Sequence, residues 1–239
     1  MAGLWSSDLH AVQRYEGLAY ASSGGTLLYR ESHWIKDDGR RLVLYRCPGG
    51  SAFARKQVSN GSQAPDFELL DARDGYREGV RTRSGRREVF TQASATAPVK
   101  LKQIPANVAP VIDAGFDSYV RQQWEALGKP GGRSIAFLVP SRLQVLNLQM
   151  KPMGRAGNKQ RFKLALDAWY GGLAPSILLT YAADDRRLLE FSGVGNIRDA
   201  SGKYPEVRIQ FPDAERGRAS SSDFAAASAL PLVGSCQDS

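Results

Sequence analysis

Short turn signals recur through most of this chain, and they constrain the fold more than any other feature. Ser22-Ser23-Gly24-Gly25, Asp37-Asp38-Gly39-Arg40 and Pro48-Gly49-Gly50 punctuate the first quarter. Asp-Gly and Gly-Gly pairs supply the left-handed backbone that tight hairpins need. The stretches between them, residues 11–21, 26–36, 41–47 and 52–58, alternate apolar and polar side chains as strands do. The same logic continues over 66–73, 76–83 and 86–92, with turns at Asp74-Gly75 and Ser84-Gly85. Evenly spaced hairpins of this kind predict a β-meander. A second strand-rich block follows at 134–139, 143–150, 161–169, 176–181, 187–194 and 207–211, with Gly154 to Lys159 forming a basic, glycine-containing loop.

Between the two blocks, residues 107–128 predict one long helix. Val108, Ile112, Phe116, Val120, Trp124 and Leu127 recur at helical spacing, and Val111 and Tyr119 widen the apolar stripe. Asn107 is a candidate N-cap, and Gly128 with Pro130 a candidate stop. A stripe this wide needs a cover, and the flanking strands supply one. The expected fold is therefore mainly β (α+β), a curled antiparallel sheet or half-barrel wrapped around one long helix. The expected organisation is a flexible N-terminus over 1–10, a single domain over 11–212, and a surface tail over 213–239, where Ala, Ser, Arg and Asp dominate.

The chain has 239 residues, of which 42% are hydrophobic, so it can bury a sizeable core. No run approaches the roughly 20 apolar residues that span a bilayer as a helix. The formal charge is +8 and the sequence pI about 9.6, which permits attraction to anionic partners. Met1-Ala2-Gly3-Leu4-Trp5 has no apolar stretch after it and reads as a mature end with an initiator Met added, its export signal removed. Cys47 and Cys236 are the only cysteines. They either form one bridge, pinning the C-terminal stretch to an early hairpin, or are two unrelated thiols. A bridge would favour an oxidising compartment such as a periplasm.

A resemblance emerges from the later strands. Arg187-Leu188-Leu189-Glu190-Phe191-Ser192-Gly193-Val194-Gly195-Asn196-Ile197-Arg198-Asp199, with Gly202 and 207–211, resembles the closing strands of uncharacterised exported proteins of Gram-negative bacteria. Tyr15-Glu16-Gly17 and Leu28-Tyr29-Arg30-Glu31-Ser32-His33 fit the same pattern. The plan of strands around one helix is similar to the half-barrel of periplasmic lipoprotein-carrier proteins. That resemblance implies an exported, periplasmic protein. It assigns no individual carrier residue to this chain.

Three sets of residues are candidates for function. Trp34, Phe116, Tyr119, Trp124, Phe162 and Trp169 could line a cavity between helix and sheet and hold a lipid or other apolar ligand; the same residues would equally make a packed core. Arg77, Arg81 and Arg83 share a strand face in the stretch from Arg73 to Arg87 and could bind anions, although Asp71, Asp74, Glu78 and Glu88 are interleaved. The stripe lacks the aromatic interleaving that single-stranded nucleic acid favours. Glu31 and His33 lie two residues apart on one strand and could do acid–base work, while His10 stands alone near the N-terminus. Gly193-Val194-Gly195 lacks the third glycine and the helix of a dinucleotide loop, and Gly-x-Ser-x-Gly is absent. No cofactor and no metal is expected. The expected function is that of a non-enzymatic exported protein binding an apolar or amphipathic ligand. The alternatives are an enzyme using Glu31 and His33, or a binder of anionic surfaces through the Arg73–Arg87 stripe. Oligomeric state is not legible.

Overall fold

A computed structural model describes residues 12–166 and 176–236. The expected flexible N-terminus, His10 and Trp169 lie outside the described residues. Eight strands precede the central segment: β1 (Val12–Ala21), β2 (Leu27–Ile35), β3 (Arg41–Arg46), β4 (Ala52–Val58), β5 (Phe67–Asp71), β6 (Tyr76–Arg83), β7 (Arg86–Gln92) and β8 (Lys100–Gln103). Then come β9 (Val111–Ile112), helices α1 (Phe116–Gln122) and α2 (Trp124–Leu127), and strands β10 (Arg133–Val139), β11 (Gln144–Ala156), β12 (Lys159–Leu166), β13 (Ile177–Ala182), β14 (Leu188–Val194) and β15 (Glu206–Gln210). The chain closes with β16 (Arg216–Ala219) and α3 (Ser221–Ala229).

All the strands belong to one unclosed sheet. Its order is β8-β7-β6-β5-β4-β3-β2-β1-β15-β14-β13-β12-β11-β10-β9, with β16 pairing beside β1. Each meander builds one wing, and β1 against β15 joins them. The pairing is antiparallel except where β9 runs parallel to β10. The sheet bends far enough that the short turn Pro140–Arg142 after β10 touches β6 and β7 in the other wing.

The mainly antiparallel sheet is as the alternation predicts. The long helix over 107–128 is not formed. Pro110 sits inside the would-be helix, where it lacks an N–H and disfavours helical backbone at Ala109. The β-branched pair Val111 and Ile112 instead joins the sheet edge, opposite Phe137 and Leu138. A 3-10 turn, Asp113–Gly115, follows. Gly115 is required there: a Cβ would stand 2.4 Å from the carbonyl of Gln63. Helical backbone starts only at Phe116 and breaks at Gln123, between α1 and α2. Residues 113–127 thus form a compact, interrupted cap against the end of the second wing.

Three apolar clusters fill the fold. One lies inside the first wing and the join, around Tyr29, Tyr45, Phe67, Leu69 and Val207. A second lies under α1 and α2 against β10–β13. The third, around Val12, Trp34, Leu42, Leu44 and Ala227, includes Phe224 and Leu232 at its margin. The stretch expected as a surface tail therefore carries ordered elements: β16 pairs with β1, and α3 contributes to the third cluster, capped by Ser220 and Asp223 in a reciprocal capping box. Cys47 and Cys236 are bonded, with Cα atoms 5.4 Å apart, which ties the end of this stretch to the end of β3.

Candidate functional site

The aromatic candidates divide between two clusters. Phe116, Tyr119, Trp124 and Phe162 come together under α1 and α2. Trp124 meets Phe162 at 5.6 Å and Tyr181 at 5.9 Å, edge to face in both cases, and Phe116 meets Phe137 at 5.9 Å. Phe162 and Tyr181 are fully buried, whereas Phe116 and Trp124, on the cap, are only partly covered. Trp34 does not join them. It lies at an even position of β2, on the face opposite Tyr29 and His33, in the third cluster, with Arg14 over its ring at 5.7 Å. Alternation along a strand forces that separation.

The first wing has a different interior. Residues directly paired across strands share a face, and the register places Tyr15, His33, Val43, Lys56, Leu69 and Glu78 in one row from β1 to β6. Three of these six are ionisable and buried. Glu31, also buried, stands one row away on β2. Among the described residues, every buried charged side chain lies between β2 and β6.

Most of these groups pair with one another, as buried polar groups tend to, although His33 Nδ1 has no partner among the described residues. His33 Nε2 stands 3.0 Å from Glu31 Oε2. Tyr15 stacks on the imidazole at 4.4 Å, and Phe211 approaches it edge on. Gly17 makes room for this, since a Cβ there would meet the Phe211 ring at 2.6 Å. Burial pulls the His33 pKa below its ordinary value, and the Glu31 hydrogen bond opposes this. The Lys56 ammonium donates to Asp113 Oδ2 at 2.6 Å. Burial alone would lower the Lys56 pKa, but the Asp113 carboxylate and the Tyr45 hydroxyl outweigh it and hold the ammonium charged. Asn196 donates to the Tyr45 hydroxyl at 3.2 Å. Tyr76 donates to Glu78 Oε2 at 2.7 Å, and its hydroxyl lies 3.1 Å from that of Tyr204. Burial raises the Glu78 pKa to about 7, with the Tyr76 hydrogen bond pulling the other way.

The Lys56–Asp113 pair therefore fastens the cap to the first wing, and Arg41, donating to the Ala114 carbonyl, adds a second fastening. Glu31 and His33 were the only members of this network singled out by sequence. Lys56 and Glu78 carried a usable signal: each occupies the apolar phase of its strand, between Ala54 and Val58 and between Tyr76 and Val80. Asp113, Asn196 and Tyr204 come from connections, and nothing local marks them.

The arginine stripe is largely neutralised within the sheet. Arg77 pairs with Glu68 at 2.6 Å, Arg81 with Glu88 at 3.2 Å, Arg87 with Asp66 at 3.3 Å and Arg73 with Asp71 at 2.7 Å. Arg83 is exposed and faces Arg86 across the turn. Arg77, Arg81 and Arg83 are on one face as expected, but two of the three already hold carboxylates.

Among the described residues, no three His, Cys, Asp or Glu side chains are grouped as metal ligands, and no helix is long and apolar enough to cross a membrane. No known protein family matches the chain, and no curated protein sequence is significantly similar to it.

Proposed function

We propose that this chain is a non-enzymatic exported binding protein that holds an apolar or amphipathic ligand, a lipid or a lipidated chain, between the 113–127 cap and the second wing. In this reading the unclosed sheet acts as a half-barrel, as the similarity to periplasmic carrier proteins suggests. The observation that carries it is the make-up of the cap. Helices α1 and α2 are seven and four residues long, too short to be stable without the surface they cover. They lie on a mainly aromatic interior, reached at its margin by the Asp117 carboxylate that Arg121 holds, and Phe116 and Trp124 are left partly open to solvent. An apolar chain would take the place of the cap's own side chains against Phe162, Tyr181 and Leu164, at little electrostatic cost. Export is supported by the Cys47–Cys236 bridge, since such bridges persist in oxidising compartments, of which a periplasm is one.

Native mass spectrometry of protein purified gently from its own host tests the reading. A co-purifying mass of lipid size, and uptake of the fluorescent apolar probe N-phenylnaphthylamine that Trp124→Ala alters, are the expected results. A bare protein mass together with no probe uptake would overturn it.

A further inference from the structure

The β11–β12 hairpin carries a second basic region that the ligand reading does not use. Residues 151–166 contain Lys151, Arg155, Lys159, Arg161 and Lys163 and no acidic residue. The register sets Lys151 directly opposite Lys163, and Lys163 directly opposite Leu178. Continuing across the sheet, Leu178 pairs with Ser192 and Ser192 with Arg208. Lys151, Lys163, Leu178 and Arg208 thus form one exposed row over five strands, with Arg161 on the same face in the next row. Their backs are the buried Phe162, Leu164 and Leu179, so this row is on the outer face, away from the aromatic interior.

Two features separate this row from the ion-paired part of the Arg73–Arg87 stripe, at Arg73, Arg77, Arg81 and Arg87. Among the described residues, none of Lys151, Arg161, Lys163 and Arg208 forms an ion pair, and like charges stand face to face at Lys151 and Lys163, an arrangement that costs stability rather than adding it. Leu178, in the middle of the row, is 48% exposed, and Met153 near the hairpin tip is 52% exposed. Beside the row is an open depression of about 550 Å³ bordered by Lys159, Arg161, Thr180 and Glu190. Glu190 is the one carboxylate on its border, and Asp184 and Asp185 occupy the turn beside the hairpin tip, where Asp185 is held by Arg187 at 2.6 Å.

We propose that this outer face of β11–β13 and β15 docks on an anionic phospholipid surface, with the cations meeting headgroup phosphates and Leu178 and Met153 entering the interfacial layer. Unpaired cations around exposed aliphatic side chains match a charged interface that also has apolar depth. Single-stranded nucleic acid would call for several exposed aromatic rings among the cations, whereas this row ends in one half-buried ring, Tyr20 opposite Arg208, which the Arg208 guanidinium covers at 5.8 Å. The proposal is independent of whether the interior holds a ligand.

The test is co-sedimentation of the full chain with vesicles of phosphatidylglycerol and phosphatidylcholine, against pure phosphatidylcholine, at low and high salt. Binding is expected only to the anionic vesicles and should weaken steeply with salt. Each cation near the surface contributes about fivefold, so Lys151→Gln with Lys163→Gln should lower affinity about 25-fold. Leu178→Ser should weaken binding further without changing its salt dependence, whereas Arg77→Gln with Arg83→Gln should leave it unchanged. Equal binding to neutral vesicles, an unchanged affinity for the Lys151/Lys163 variant, or displacement by a single-stranded oligonucleotide combined with no effect of Leu178→Ser would each overturn the proposal.

Discussion

The two wings of the sheet solve the same burial problem with different chemistry. The first buries Glu31, His33, Lys56 and Glu78 and keeps them by pairing; the second buries only apolar and aromatic side chains, with Phe162 and Tyr181 at its centre. A paired charge network is specific and intolerant, because removing one partner leaves the other desolvated and alone. An aromatic cluster is tolerant of a changed neighbour as long as volume is kept. The difference teaches where the molecule can give way. The cap is fastened to the polar wing at Lys56–Asp113 and Arg41–Ala114, and to the apolar one through exposed groups, where Arg186 holds Glu125 and the Arg121 carbonyl and Arg133 reaches Gln123.

The largest effects should come from cutting each wing at its centre. Asp113→Ala leaves a buried ammonium and should cost about 3–5 kcal/mol. Adding Lys56→Met should recover much of that loss, since an apolar side chain of similar length removes the unpaired charge. Phe162→Ala should cost a similar amount, about 3–5 kcal/mol, with no such rescue available from charge. Chemical denaturation of the four proteins, wild type included, measures all of this. A Lys56→Met/Asp113→Ala double variant no more stable than Asp113→Ala would break the comparison.

Next in size is the bridge that ties the chain end to the polar wing. Replacing Cys47 and Cys236 together with Ser should cost about 2–4 kcal/mol, the usual range for such bridges, read as a drop in melting temperature equal to that caused by reductant. Failure of reductant to lower the melting temperature would count against that role.

Glu78 gives the polar wing a pH dependence that the apolar wing lacks. Its folded pKa, about 7, lies above the ordinary 4.5. The folded state therefore holds the proton more tightly than the unfolded one, and stability is lost as pH rises through 7. The loss between pH 5 and pH 8 should be about 2–3 kcal/mol. Glu78→Gln should flatten that part of the profile. His33 acts in the opposite sense: with its folded pKa lowered, stability is lost as pH falls below about 6.5. A profile unchanged by Glu78→Gln would remove Glu78 as the source. The smallest effect should be that of Tyr204→Phe, which deletes one hydrogen-bond partner of Tyr76 and should cost about 1 kcal/mol in the same denaturation assay.

The strands were legible because their turns are written in local chemistry: Asp-Gly, Gly-Gly and Ser-Gly act where they stand. The central segment carries a helical apolar stripe, yet Pro110, with its missing N–H and restricted neighbour, outweighs that stripe. The aromatic set was legible as apolar but not as a place. Trp34 shows why: its position on an even residue of β2 sends it to the opposite face from His33, and only the register settles which face meets the cap. The ion pairs were less legible still. Lys56 and Asp113 are 57 residues apart and meet only because the central segment folds back over the sheet. The basic loop beginning at Gly154 was visible in the sequence, but that its charges have no carboxylate partners, unlike those of the Arg73–Arg87 stripe, emerges only from the pairing of strands.

The most direct test of the central claim is hydrogen exchange of the intact, bridged protein with and without a palmitoyl lysophospholipid. If the cap and the apolar wing form the binding element, exchange should change over residues 116–127 and along β10–β13, while β2–β6 stay as they were. Changes confined to β2–β6, or none over the cap under conditions where the lipid is bound, would contradict it.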